Sequence, residues 1–273
     1  MRMTRTLRAA ASVAALSILL TACGSDDTTT DPAASESDTV GDASFTTIND
    51  GTLTVCTESG YPPFEFDDAE SAIGYSGFDI ELVEAIAAKL SLEVSVLSTG
   101  FDALTSGTAM AAGTCDFAIS AMTITPERAE NLDFSDGYYN AAQSLLVPVD
   151  SGIADLASVT GTLGVQSGTT GESYAEANAP EGVELLAFDA GADLFLALEA
   201  GTIVGILQDL PVNVERVQND ATLAVVESYQ TDENYGMAFE KGANQALLDA
   251  VNGALADVRA DGTYDALFAK YFA

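Results

Sequence analysis

Arg128 closes a segment in which Ser120, Thr123 and Thr125 precede it and Pro126 and Glu127 lead into it. The chemistry offered is capture of an anion. Residues 116–120 read as a short buried strand, and Thr125 followed by Pro126 reads as a helix start, with a capping hydroxyl and proline at the first helical position. Arg128 then falls in the first turn, where its charge opposes the helix dipole, so the position suits arginine best when an anion such as a carboxylate lies against it. A surface arginine paired with a neighbouring acid is the plain alternative. A possible counterpart is Asp209, which follows the apolar run 203–207 and precedes Leu210 and Pro211. By local sequence alone it fits a helix N-cap better.

Other chemistries are closed by absence. The chain of 273 residues has no histidine, which removes a serine or cysteine triad with a histidine base and zinc sites with histidine ligands. No glycine-rich phosphate loop occurs, and the acids lack calcium-loop spacing. Neither metal nor cofactor is expected. A formal charge of -33 also makes nucleic acid an unsuitable partner.

The elements that must position these residues follow from periodicity. Residues 53–57, 92–97 and 116–120 read as strands, and 80–90, with Leu82, Val83, Ile86, Ala87 and Leu90, has helical spacing. A second set follows: a strand at 163–166, a helix near 172–177, a helix at 194–200 and a strand at 203–207. Helices at 244–258 and 264–271 end the chain. Such alternation predicts an α/β fold whose sheets are mostly parallel and flanked by helices.

Ahead of this lies a different kind of sequence. Arg2, Arg5 and Arg8 precede an uncharged stretch at 9–22, too short for a bilayer span of about 20 residues, so 1–22 reads as a signal peptide. Leu20, Thr21, Ala22, Cys23 and Gly24 look like a bacterial lipobox, in which Cys23 is acylated and becomes the new N-terminus. Residues 23–50 are rich in Asp, Ser, Thr, Gly and Ala, a composition that cannot bury enough apolar area to order itself. They read as a tether reaching roughly 25 to 30 Å.

From residue 51 onward the chain resembles the solute-binding proteins of bacterial ABC importers for polar amino acids. The resemblance rests on Tyr61, Pro62, Pro63, Phe64 and Glu65; on Gly77, Phe78 and Asp79; on the Arg128 segment running into Asp133, Phe134 and Ser135; on Tyr235, Gly236 and Met237; and on Asp261, Gly262, Thr263 and Tyr264. It implies two lobes, 51–141 with 237–273 and 146–231, joined by crossovers near 142–145 and 232–236. It also implies a ligand set. Arg128, with backbone N–H groups of Thr123 and Thr170 beside Thr169, would hold an amino acid carboxylate; Asp209, the Ala121 carbonyl and the Thr123 hydroxyl would hold the ammonium, with Ser120 at the same strand end. Tyr61 and Phe101 would sandwich the side chain, and Glu58 would meet its distal end. Asp79 reads as a structural acid. In such a fold the strands of Cys56 and Cys115 are neighbours, close enough for a disulfide in an exported compartment; two free thiols are the alternative.

These implications describe a monomeric, lipid-anchored receptor on the outer face of the cell membrane. It would close two lobes on a basic or amide amino acid and deliver it to a permease driven by a separate ATPase. The alternative within the same fold is an exported dehydratase of prephenate-like acids, with Glu58 the candidate acid. A sensor would need a transmembrane segment after the lobes, and the sequence to Ala273 holds none.

Overall fold

The computed structural model describes residues 45–273. The expected leader 1–22, the expected acylation site Cys23 and most of the expected tether lie outside them. Its last residues do not behave as tether: the Ile48 N–H donates to Asp116 Oδ1, Asn244 Nδ2 donates to the Thr46 carbonyl, and Phe45 packs on the core below. An apolar side chain and two long-range hydrogen bonds bind 45–50 to the first lobe.

The chain enters through β1 (Thr52–Thr57), a small hairpin of β2 (Phe66–Asp67) and β3 (Tyr75–Ser76), then α1 (Phe78–Leu90) and β4 (Glu93–Ser98). Two short helices, α2 (Phe101–Thr105) and α3 (Thr108–Ala111), lead to β5 (Phe117–Ala118) and β6 (Leu132–Phe134). Helix α1 forms because Ile80, Leu82, Val83, Ile86 and Ala87 fall on one stripe. All five are buried against the sheet. Its entry needs Gly77 at φ 128°, since a Cβ there would sit 2.1 Å from the Phe64 carbonyl oxygen.

Strand β7 (Tyr139–Pro148) then carries the chain into the second lobe, built from β8 (Thr162–Gln166), α4 (Thr170–Asn178), β9 (Glu184–Phe188), α5 (Gly191–Glu199), β10 (Gly205–Asp209) and α6 (Leu210–Asn219). Strand β11 (Leu223–Tyr235) returns it, and β12 (Ala238–Glu240), α7 (Gln245–Ala260) and α8 (Thr263–Phe272) complete the first lobe. Each lobe holds a five-stranded sheet, in the orders β4-β1-β5-β12-β6 and β11-β7-β10-β8-β9. In both, the expected parallel pairing holds on one side, β4-β1-β5 and β10-β8-β9, and turns antiparallel on the other. In the first sheet the antiparallel part is β12 and β6; in the second it is β7 and β11, the strands that cross between lobes. They pair with each other along Tyr139↔Tyr235, Asn140↔Asn234 and Ala141↔Glu233. Gln143 already pairs with Asp209 in the second sheet, so the first crossing precedes it.

Two local expectations shift. The strand placed at 203–207 runs Gly205–Asp209 instead: Ile203 is buried among Leu194, Leu198 and Ile206, while Gln208 and Asp209 extend the strand as buried polar residues. The helix expected from Thr125 shrinks to one 3-10 turn, Arg128–Glu130, because β6 starts at Leu132. Thr125 Oγ1 still accepts the Arg128 N–H, at 3.1 Å. So short a turn has little dipole, and anion capture at Arg128 must rest on the guanidinium itself.

The first lobe is stapled by the Cys56–Cys115 disulfide, with Cα atoms 5.7 Å apart. Both cysteines are buried beside Phe101, Leu104, Met110 and Met122.

Candidate functional site

The cleft between the lobes gathers the carboxyl ends of the parallel strands, the usual place for ligands in open α/β sheets. Glu58 follows β1, Ser120 follows β5, Gln166 ends β8 and Asp209 ends β10. These four, with Tyr61, Glu65, Phe101, Ala121, Thr123, Arg128, Thr169 and Thr170, line one cavity of about 330 Å³ counted out to its mouth. All ten residues expected at the site line it. Glu65 and Gln166 join them unforeseen.

Arg128 is buried, with its guanidinium carbon 5.4 Å from the centre of the Phe101 ring. Nη1 donates to the Thr123 carbonyl at 2.7 Å, and Nη2 reaches the opposite lobe to donate to the Gly168 carbonyl at 2.9 Å. Among the described residues it makes no ion pair. Burial lowers its pKa, and Asp209 and Glu233 oppose that shift. A buried cation bonded only to carbonyls retains most of its need for an anion.

Asp209 occupies the N-cap position of α6, yet its side chain makes no capping bond. Its carboxylate faces the cleft, with Oδ2 accepting from Tyr235 at 2.6 Å and Tyr61 at 3.0 Å, and Oδ1 from Gln143 Nε2 at 2.5 Å. Burial, then the nearby Glu233 charge, raises its pKa to about 6. This answers the ambiguity of the local sequence: the helix start is real, and the carboxylate is used elsewhere.

The remaining contacts join the lobes at Glu58 and brace each lobe's own wall. Gln166 Nε2 donates to Glu58 Oε2 at 2.6 Å, and burial raises the Glu58 pKa. Thr169 caps α4, its hydroxyl oxygen accepting the Glu172 N–H at 3.1 Å, which leaves the helix N-terminus at Thr170 turned to the cavity. Ala121 adopts φ 43°, and its N–H donates to Asp79 Oδ2 at 2.8 Å, an oxygen that also accepts from Tyr138 at 2.7 Å. Asp79 is buried outside the cavity wall, as a structural acid should be. Burial first raises its pKa, to about 7. Ser120 donates to Glu65 Oε1 at 2.6 Å, and burial with the Asp79 charge holds the Glu65 carboxyl well above its ordinary range.

Sequence reasoning missed Glu65, Gln166 and the supports Gln143, Tyr235 and Glu233. Gln166 had a legible signal, a polar residue ending an apolar strand before a Gly and Thr turn. Gln143 and Glu233 had none, since they lie on crossing strands whose register shifts between Val225 and Glu227 and between Tyr229 and Glu233 blur any period.

Comparison with known proteins agrees with this architecture. The chain is 32% identical over 219 residues to the ABC transporter arginine-binding protein 1 of Escherichia coli (strain K12), covering 78% of this chain and 87% of that protein. It is 32% identical over 227 residues to the L-cystine-binding protein TcyJ of the same strain, covering 81% and 83%. Its structure superposes on an ancestral arginine-binding protein bound to arginine with a TM-score of 0.74 at 37% identity, covering 82% of this chain and 99% of that one. The model of the bacterial extracellular solute-binding proteins, family 3, matches residues 53–273. With that match, and with a two-lobed cleft that sets a cation and a carboxylate on facing walls, the chain belongs to the bacterial extracellular solute-binding proteins, family 3.

Proposed function

We propose that this protein is an extracytoplasmic receptor for a polar amino acid with a cationic or amide side chain, passed to an ABC importer after lobe closure. The observation that carries the reading is the placement of Arg128 and Asp209 on opposite lobes, around one cavity and without an ion pair between them. A zwitterion satisfies both at once. Arg128 and the N-terminus of α4 at Thr170 take the carboxylate, where a helix dipole favours negative charge. Asp209 and the Thr123 hydroxyl take the ammonium. Ala121 contributes its carbonyl, since its N–H is committed to Asp79.

Side-chain selection falls to Glu58, Tyr61 and Phe101. Glu58 and Asp209 line the cavity against the single cation Arg128, and a second carboxylate beyond the one that takes the ammonium favours a ligand that brings positive charge of its own. Relatives that bind arginine and cystine fit a site that recognises the shared zwitterion and varies the rest. Closure is a population shift. Gln166–Glu58 and Arg128–Gly168 join the lobes only when closed, and a ligand touching both walls adds its differential affinity to them.

The membrane enters through Cys23: acylation there, with 24–44 as tether, holds the receptor at the outer face of the membrane beside its permease. Cys23→Ser is expected to release the protein into the medium or leave it unprocessed. Calorimetry of the wild-type protein with the common amino acids tests the binding function. Saturable uptake of arginine, lysine, histidine or glutamine supports it; silence across the panel, with turnover of prephenate-like acids, replaces it with the dehydratase reading.

A further inference from the structure

Glu233 lies behind the cavity on β11, in the stretch that crosses between lobes, and is only 7% exposed. Its Oε2 accepts the hydroxyl of Thr123, from the first lobe, at 2.6 Å and that of Thr170, from the second, at 2.7 Å. Its Oε1 accepts Gln143 Nε2 at 3.0 Å and the Thr231 hydroxyl at 2.7 Å. Among the described residues it has no ion pair. A buried carboxylate without a bonded cation needs hydroxyl and amide donors. These come from both lobes and both crossing strands.

Two consequences follow from elementary chemistry. A threonine hydroxyl has one proton, so Thr123 and Thr170, having donated theirs to Glu233, keep only lone pairs for other partners. And because the two donors on Oε2 come from opposite lobes, opening the cleft must break at least one of these bonds. We propose that Glu233 is a positioning residue of the binding site. It fixes the Thr123 and Thr170 hydroxyls as acceptors, with Thr123 turned to the ligand ammonium, and it fastens the lobes in the closed form. The same device recurs in Ser120, which donates to Glu65, and Tyr61, which donates to Asp209. Tyr61 and Asp209 also cross between lobes, while at Glu233 a single oxygen, Oε2, takes one hydroxyl from each lobe. The inference rests on the amino acid reading above.

Glu233→Gln preserves shape but sets its amide nitrogen against the Gln143 amide or against the two hydroxyls. With L-arginine as probe, the full chain carrying this substitution is expected to lose at least tenfold in affinity, mostly through faster dissociation, while the melting temperature without arginine moves little. In a double-mutant cycle Thr170→Val should weaken wild type but add almost nothing to Glu233→Gln, because both remove the same strap. Argininic acid, which replaces the α-ammonium by a hydroxyl, should lose much less than arginine does. Should Glu233→Gln fail to fold, the cycle between Thr123→Val and Thr170→Val reads the same shared oxygen, and coupling between them is expected. Additive effects in either cycle, or equal losses for arginine and argininic acid, would overturn the inference while leaving the receptor intact. Wild-type protein that binds no amino acid overturns the receptor reading, and this inference with it.

Discussion

The two lobes carry comparable sheets yet are held together differently. The first has the Cys56–Cys115 disulfide, a large core from Leu53 and Val55 through Phe78 and Phe117 to Val251 and Leu255, and a second cluster around Phe101, Leu104 and Met110 beside the disulfide. Aromatic rings extend it along Phe64, Tyr139, Tyr235 and Phe272, with centroids 4.8 to 5.5 Å apart. The second has smaller clusters on either face of its sheet, one around Val147, Leu163 and Leu207, the other around Leu146, Leu194 and Ile206. The site divides along the same line. The first lobe supplies Arg128, both aromatic residues and Glu58; the second supplies Asp209, Thr170 and Gln166. On the proposed reading, the more heavily cored lobe presents most of the ligand's contacts and can bind first, and the lighter one adds the contacts that reward closure.

The most severe way to break that division is to remove one charge from each side. Arg128→Ala and Asp209→Ala are each expected to cost about 3 to 5 kcal/mol, roughly two to three orders of magnitude in affinity, because each leaves a buried charge uncompensated. Calorimetry with arginine checks this. If Arg128 forms the encounter with the first lobe, its loss should lower the association rate more than loss of Asp209 does.

Next in size is the disulfide. It closes a loop with a sequence separation of 59 residues, which the chain-entropy model values at about 4 kcal/mol. Urea unfolding of Cys56→Ser with Cys115→Ser should show that loss. A purely first-lobe effect would also make unfolding biphasic, the disulfide-free lobe melting before the other.

Glu58→Gln should act on selectivity. Arginine and lysine should weaken by about tenfold, consistent with about 1.5 kcal/mol for a hydrogen bond to a charged group, and glutamine by less. Equal losses for all three would move side-chain selection away from Glu58.

The smallest effect is with pH, and its two parts run in opposite directions. Asp209 and Asp79 have pKa values raised to about 6 and about 7 from 3.8, so the folded protein holds more protons than the unfolded chain between about 4 and 7. Their contribution to ligand-free stability is therefore greatest below about 4 and is lost as pH rises through 6 and 7. Arginine needs Asp209 ionised, so affinity should fall below about pH 6, by at most tenfold per unit. Melting curves and titrations at pH 4.5, 5.5 and 7 check both signs. A flat affinity would remove Asp209 from the ammonium contact.

How much was legible in advance depended on whether a residue's signal lay in its own neighbourhood. Arg128 announced itself by the hydroxyls and proline around it. Helix α1, with buried residues from Ile80 to Ala87, and strands β1, β4 and β8 were visible because each buries one face or a short apolar run. The motif around Tyr61 and that around Asp79 placed the chain in its family, which implied that the strands of Cys56 and Cys115 are neighbours while leaving the pairing itself to the structure. Those features depend on short-range pattern and local conformational preference, which a sequence carries directly. Tertiary structure decided the rest. It turned Asp209 from a helix cap into a cleft carboxylate by bringing Tyr61, Gln143 and Tyr235 to it from elsewhere in the chain. It bound 45–50 to the first lobe, brought Gln166 to Glu58, and set Glu233 where two lobes and two crossing strands meet. A polar side chain on a strand looks like solvent-facing surface until its partners arrive from a hundred residues away, because burial and hydrogen bonding of such groups belong to the packed molecule and not to any local stretch of the chain.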